Sequence, residues 1–591
     1  MRMIHGRSAF RFKNLKDTPP LFYFSKRANA STKAKLPDIK MPLRFLATVI
    51  AVLTLAFAMQ ASAAEKRAAD IVVYSGVPGG IAASIHSARE GVKVILVEPT
   101  KHVGGLSTSG INTAETEHML KWTIGGFADE FYRSMGKYYQ ETKARQTYPH
   151  TNPRLDTIYF FESSVAEKTY LAMLKEAGVD VIYGARVDKV AKDGTRITGI
   201  TLTDGTQLSA KVFVDASYEG DLMARAGVSY AVGREAQAEF HEDAAGVRFD
   251  PNTHKARTVD EDGNLLPGIS AWAKDLKQKG AHRAPMNYNF RLTVASDPEL
   301  QVPFPAPKKY DPKRYALLAN WLRKQTEEGK RVERRDIIDL YERRNGKFEM
   351  NNKQAAVLSL GHFGGQFDWP DASYEERERI YQDHLDYTLG LLHFLMNDAA
   401  VPENLRKEIK GLGLHKGEFA DNGHLPYQLY VREARRMKGE TIVRQQDVQK
   451  DRRKSDSIGM SSHFIDCHHV QRVALSENEF VNEGRIWRTG YAYQIPYRAI
   501  LPKAAECTNL LVPVAASYTH VAYCTLRLES VWMITGHGAG VAAAMAAKDG
   551  IDVHKVDVSA LQDKLRAQGQ VIDFIPGQPE KCQNEGPLPQ F

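Results

Sequence analysis

The sequence predicts an α/β fold in which a parallel sheet is assembled from separated segments and an α+β domain is inserted between them. Three observations predict it. Asp70–Pro99, "DIVVYSGVPGGIAASIHSAREGVKVILVEP", reads as strand, tight turn, helix and strand. "KVFVDAS" (211–217) reads as a buried strand ending in a polar turn. From about Tyr491 the α/β character returns in "YQIPYRAILP", "NLLVPVAAS" and a small-residue helix over 531–548.

The intervening elements follow from period and punctuation. Helices are expected over 126–139 and 162–177, the second showing Phe161, Val165, Tyr170 and Leu174 on one face. "VDVIYGARVDKV" (179–190) reads as a strand with a turn, and "RITGITLTDGTQLSAKVFVDAS" as a β-meander turning at Asp204-Gly205. From about Glu239 the pattern changes. A Pro-rich connection, Pro298–Pro312, leads into charged helical stretches at 312–345 and 373–410, with Tyr381, Leu385, Leu389 and Leu392 as a core face. The reading is therefore a first nucleotide-domain part at 68–238, an inserted substrate-binding domain at 239–485, a second nucleotide-domain part at 486–550, and a docking helix with tail at 551–591.

The 591 residues are 43% hydrophobic and 25% charged, which is a globular composition. The formal charge of +8 arises entirely within residues 1–64, leaving the rest nearly neutral and giving no electrostatic reason to expect nucleic acid. From Met41, a candidate start, Arg44 precedes an uncharged apolar run, Phe45–Met59, and then Ala61-Ser62-Ala63. This is the layout of a secretory signal peptide; the run is short of the about 20 residues of a membrane span. Residues 1–64 are thus read as basic leader plus signal, and the mature chain as periplasmic or secreted, without an integral membrane segment. The four cysteines, Cys467, Cys507, Cys524 and Cys582, are too few for a disulfide framework.

In the opening unit Gly76, Gly79 and Gly80 serve the turn, but Ser75 and Val77 stand where the first two glycines of G-x-G-x-x-G would be. Pro78 suits the first helical position, and the helix N-terminus offers amides to phosphate. Glu98 closes the second strand as a ribose acceptor. Gly104-Gly105 and Ser107-Thr108-Ser109-Gly110 follow, a second glycine turn that a nicotinamide site does not need. "FVDASYEGDL" (213–222) adds Asp215 and Gly220 at a strand end, and "GHGAGVAAAMAA" (536–547) is read as a helix opening whose dipole would stabilise a reduced flavin. Together these favour FAD over NAD.

Several blocks resemble the FAD-dependent oxidoreductase family of the glutathione-reductase/fumarate-reductase superfamily, often labelled xanthan-lyase-like. They are "VVYSGVPGGIAAS", "VEPTKHVGGLSTSG", "VDASYEGDLMARAGVSYAVGRE", "LPYQLYVREARRMKGE", "SIGMSSHFIDCHHVQR", "YQIPYRAILPK" and "ASYTHVAYCTLRLESVWMITGHGAGVAAA", spread from about Ala69 to Ile572. The resemblance implies a discontinuous Rossmann-like FAD-binding domain with βββα-type sheets plus an inserted α+β substrate domain. It implies pyrophosphate near Ser75, Gly76 and Gly80, ribose on Glu98, and the flavin side at Gly104, Gly105 and Ser107. Adenine would be bracketed by Arg186 and Val187, the crevice lined by Asp215 and Gly220, and the flavin pyrimidine edge placed over Gly538, Ala539 and Gly540. The family usually has Gly where this chain has Ser75.

The implied activity is hydride transfer between a small polar organic substrate and flavin, with an electron acceptor or donor that the sequence does not identify. A saccharide lyase or redox-neutral enzyme on this scaffold, and a non-catalytic flavin-fold binding protein, are the alternatives. His520 is the candidate acid/base and Arg498 the candidate orienting group, with Arg527 nearby able to pair Glu529 instead. In "HFIDCHHVQR" the residues His463, Asp466, Cys467, His468 and His469 are of metal-ligand type, but their spacing matches no zinc signature. No metal is expected there, and Asp466 and His468 are read as facing substrate. Nothing signals covalent flavin attachment through His102, His520 or Cys524. Arg432, Arg435 and Arg436 are expected on a helix, either gripping an acidic substrate or solvated.

Overall fold

The computed structural model describes residues 65–141 and 153–583; the expected leader and signal segment lies outside them. At its centre is a parallel five-stranded sheet in the order Leu510–Leu511, Val212–Asp215, Ile71–Tyr74, Val94–Glu98, Asp180–Tyr183. The strand nearest the C-terminus thus joins the edge of a sheet begun some 440 residues earlier, next to "VFVD". The central strands are apolar on both faces, as a covered parallel sheet requires. Ile71, Val73, Val94 and Leu96 enter the large core, while Val72, Tyr74, Ile95, Val97 and Phe213 pack with the meander on the opposite face.

The large core includes two crossing helices, Pro78–Arg89 and Glu529–Asp549. They approach closely because small residues meet: a Cβ on Gly536 would fall 2.0 Å from the Gly79 carbonyl oxygen, and one on Gly540 2.4 Å from that of Ala83. Ser87 Oγ donates to the Gly540 carbonyl at 2.9 Å. The meander pairs Val187–Asp193, Arg196–Leu202 and Gln207–Ser209, with Lys66–Ala68 added in parallel.

Residues between Phe249 and Glu483 form two further sheets. One is four-stranded, Phe249–Lys255, Glu479–Glu483, Gln471–Ser476, Ala271–Trp272; the other is five-stranded, Gln301–Val302, Gly413–His415, Leu292–Ala295, Phe348–Asn352, Ile338–Glu342. Helices Ala316–Glu327, Tyr374–Asn397 and Glu403–Lys410 accompany them. The 312–345 stretch is therefore not helical throughout. Ile338–Glu342 is a strand hairpinned to Phe348–Asn352 through Asn345 (φ 59) and Gly346 (φ 71), an Asn-Gly turn. The long 373–410 stretch is two helices, the first opened by a Ser373/Glu376 capping box. "YVREARRM" is extended, with Arg435–Met437 paired to Tyr230–Val232. The C-terminal segment docks through the helix Val558–Ala567, whose Leu561 and Leu565 are fully buried. No described helix is long and apolar enough to cross a membrane. The four cysteines are buried and unlinked.

Candidate functional site

The first turn of the βαβ unit brings Ser75, Gly76 and Gly80 together. Ser75 adopts φ 78, the left-handed region that favours glycine, so the departure from the expected glycine carries backbone strain. A Cβ on Gly80 would fall 1.9 Å from the Ser75 carbonyl oxygen. The glycine is required by closure of the turn itself. Gly76 donates to Glu98 Oε2 at 2.7 Å and Thr100 N–H donates to Oε1 at 2.7 Å. Gly104 N–H donates to the Gly76 carbonyl at 2.7 Å, so the two glycine turns are joined directly. Pro78 stands at the first helical position after Val77, which provides no side-chain cap, leaving first-turn amides without intrahelical partners.

Beside this turn lies a cavity of about 380 Å³, lined by Ser75, Val77, Glu98, Arg186, Tyr218 and Tyr374 among others. Arg186 stacks over the Tyr374 ring, and the Tyr374 hydroxyl donates to the Val187 carbonyl at 2.8 Å. Burial pushes the Glu98 carboxyl up to about 7, with Thr100 and the Gly76 amide opposing. Between pH 4.5 and about 7 the native FAD-free chain keeps a proton that the unfolded chain releases, so stability falls as pH rises through that window. Glu98→Gln should remove about 3 kcal/mol of this loss, read as the difference between variant and wild type in urea unfolding at the two ends of the window.

The expected crevice residues sit just behind this surface. Asp215 is fully buried, its carboxylate accepting from Ser217 N–H and hydroxyl and from Met223 N–H. Burial raises it to about 6. Gly220 (φ 65) caps the short helix Asp221–Arg225. Neither lines the cavity, as was expected of them; their neighbours Ser217, Glu219 and Asp221 do. Gly105 and Ser107 belong to a buried 3-10 turn, and a Cβ on Gly105 would fall 2.2 Å from the Tyr218 hydroxyl.

A second correction concerns Gly538, Ala539 and Gly540. The helix starts at Glu529, because Leu528 is still extended (φ −103, ψ 141), so these three residues lie in its middle. Gly538 faces Ile458 and Gly540 faces Ala83; their smallness serves helix packing. The residue at the helix N-terminus is Glu529, which the sequence reading missed as a site residue. Tyr218 Oη donates to Glu529 Oε1 at 2.7 Å and receives the Leu106 N–H at 3.1 Å. Burial raises Glu529 well above its ordinary value, and among the described residues its Oε2 has no hydrogen-bond partner; nor has the buried Trp532 Nε1. Unpartnered buried polar atoms beside two glycine turns fit a cofactor with hydrogen-bonding groups.

A larger cavity, about 570 Å³, contains Asp466 and His468. Asp466 and Trp487 are cross-strand partners in the pair Ile465–Cys467 and Ile486–Arg488, and both line it. Arg527 donates to the Asp466 carbonyl at 2.6 Å and to Oδ2 at 3.1 Å, and its Nη1 meets the Tyr430 hydroxyl at 3.3 Å. It therefore pairs Asp466 and not Glu529. Against burial, His468 and Arg527 hold Asp466 well below its ordinary value. Burial, reinforced by Arg432 and Arg527, holds His468 well below its own, so the imidazole is neutral. Across the cavity Glu349, fully buried, accepts from both Arg291 and Arg343. Asn351, Asn352 and Gln354 add amides to the wall.

Two expected catalytic residues are not in this cavity. His520 is sealed in the interior: Nδ1 meets both Glu433 oxygens at 2.9 Å and Nε2 meets Cys467 Sγ at 3.1 Å. Arg498 is half exposed at the surface, paired with Asp456 at 2.9 Å. Arg432, Arg435 and Arg436 are buried and engaged, by Asn287, by Asp221, and by Glu235 with Glu433, respectively. His102 bridges Glu167 and Asp421 and stacks on Tyr427.

A parallel sheet with a glycine turn at its first strand, an acidic residue ending the second and a late strand at its edge defines a dinucleotide-binding α/β class. The FAD dependent oxidoreductase family matches residues 70–565, and the chain belongs to it; FAD is its cofactor. A thiamine thiazole synthase of Metallosphaera sedula is 25% identical over 223 residues, spanning 34% of this chain and 71% of that protein. Among solved structures, THI4 of Thermovibrio ammonificans shares 18% identity over 35% of this chain and 80% of its own, with a TM-score of 0.21. A geranylgeranyl bacteriochlorophyll reductase-like protein of Thermoplasma acidophilum shares 11% identity over 85% of each chain, with a TM-score of 0.32.

Proposed function

We propose that the chain oxidises or reduces a small, hydroxyl-bearing polar molecule of the polyol or sugar class, held in the cavity of Asp466, His468 and Arg527. The observation that carries this reading is the lining. Its carboxylates and guanidiniums are largely paired with one another, Glu349 with Arg291 and Arg343, Asp466 with Arg527. The wall thus offers many directed hydrogen bonds with little net charge. Trp487, 40% exposed and opposite Asp466, adds an aromatic face that suits a sugar-like ring. FAD supplies the two-electron acceptor or donor when bound. Arg527 orients Asp466, and His468, 3.6 Å from Asp466, takes the hydroxyl proton when the substrate is oxidised and returns it from its protonated form in the reverse direction. The glycine turns and Glu98 hold the nucleotide end.

Anaerobic mixing with a panel of polyols, sugars and their deoxygenated isosteres tests this. Hydroxylated members should bleach the flavin and the deoxygenated ones should not. Turnover of a saccharide with the flavin oxidised throughout would favour the redox-neutral alternative and sink the proposal.

A further inference from the structure

Directly behind the substrate cavity, Cys467, His520 and Cys524 converge, their donor atoms all lying within 4.8 Å of one another. Two come from the turn and helix around His520–Tyr523 and one from the strand Ile465–Cys467, which is why no local spacing announced them. We propose that these three residues bind a thiophilic d10 cation, Cu⁺ or Zn²⁺, through two thiolates and His520 Nε2.

The surroundings are those of a ligand set held in place. His520 Nδ1 is engaged by both oxygens of Glu433 at 2.9 Å, so Nε2 is the ring atom turned toward the sulfurs, 3.1 Å from Cys467 Sγ. A carboxylate on the far nitrogen of an imidazole is the usual outer partner of a metal-ligating histidine. Glu433 is fixed in turn by Arg436 Nε at 2.7 Å, Arg436 by Glu235 at 2.7 Å, and Glu235 accepts the His520 backbone N–H at 2.9 Å. The loop of contacts returns to the proposed ligand. Cys467 and Cys524 are fully buried and His520 is 1% exposed.

Soft donors of this kind select Cu⁺ or Zn²⁺ over harder ions. On binding, the two sulfurs and His520 Nε2 give up to solvent whatever protons they carry, and the ion exchanges its previous ligands for two sulfurs and one nitrogen, with no change of oxidation state. Three donors shut away from water match three-coordinate Cu⁺; Zn²⁺ would take a fourth donor. Cys467 alternates along the strand with Asp466 and His468, which line the substrate cavity while its own side chain meets His520. A bound ion would tie the strand carrying these groups to the segment leading to Arg527.

The test is the metal content of the FAD-loaded, full-length protein purified under anaerobic reducing conditions, before and after incubation with Zn²⁺ or Cu⁺ alone and desalting. The expectation is one equivalent of copper or zinc per chain and a rise in thermal midpoint on loading. Cys524→Ser should lower the content below about a tenth of an equivalent while keeping the flavin spectrum. Because that variant could fail to fold, the wild type is also stripped with chelator and reloaded, and should recover one equivalent. Less than a tenth of an equivalent of either metal after reloading would overturn the proposal. So would a Cys467–Cys524 disulfide in the purified protein, or full loading in a folded Cys524→Ser variant.

Discussion

Gly80→Ala is expected to abolish retention of FAD and to destabilise the protein by about 3 kcal/mol or more. The added methyl would sit 1.9 Å from the Ser75 carbonyl oxygen, a backbone atom with no rotamer to yield. Relief requires the helix Pro78–Arg89 to move off the strand that precedes it, and that helix is locked against Glu529–Asp549 by Gly536 and Gly540. The strain must therefore be taken by the turn that presents Ser75, Gly76 and the first-turn amides. Ser75→Gly is the contrasting change. It should raise stability by about 0.5–1 kcal/mol, because release of the φ 78 strain outweighs the greater freedom of glycine in the unfolded chain. Flavin content after gel filtration and urea unfolding read both. Wild-type FAD content in Gly80→Ala would show that the turn is not closed as described.

Arg527→Met is expected to lower kcat/KM by about 10²–10³-fold while the bound flavin remains. The guanidinium is buried and makes three contacts at once: the Asp466 carbonyl, the Asp466 carboxylate and the Tyr430 hydroxyl. Methionine fills the volume but leaves the Asp466 carboxylate with less compensation in the interior, so some loss of stability is expected too. Arg527→Lys separates the two effects. Lysine restores the charge without the planar fork, and it should recover stability more than activity. Retention of most activity in a folded Arg527→Met variant would remove this cavity from the chemistry.

The parts of the fold legible in the sequence were those written as local pattern. The strand–turn–helix–strand of 70–99, the meander turning at Asp204-Gly205, and the return of a strand near Leu510 all rest on period and turn residues, and all appear. The Asn345-Gly346 hairpin carried an equally local signal, hidden inside a charged stretch that read as helix. Site residues were harder because smallness is ambiguous. Gly538 and Gly540 read as cofactor glycines, yet what they admit is Ile458 and a neighbouring helix. Asp466 and His468, read as part of a substrate-facing loop, line one cavity instead from a strand end, where alternation puts both on one face. His520 was misplaced because its partner Glu433 lies 87 residues away and turns the ring inward. Glu529 gave no sign, since a carboxyl that folding buries reads in sequence as an ordinary charge.

The most direct test of the account is the affinity of the FAD-free protein for FAD compared with FMN. The cavity of Glu98, Arg186 and Tyr374 is assigned to the adenosine end of the dinucleotide. The account predicts one FAD per chain, bound at least 100-fold more tightly than FMN, with Glu98→Gln weakening FAD and leaving FMN unchanged. Equal affinity for the two flavins would contradict it.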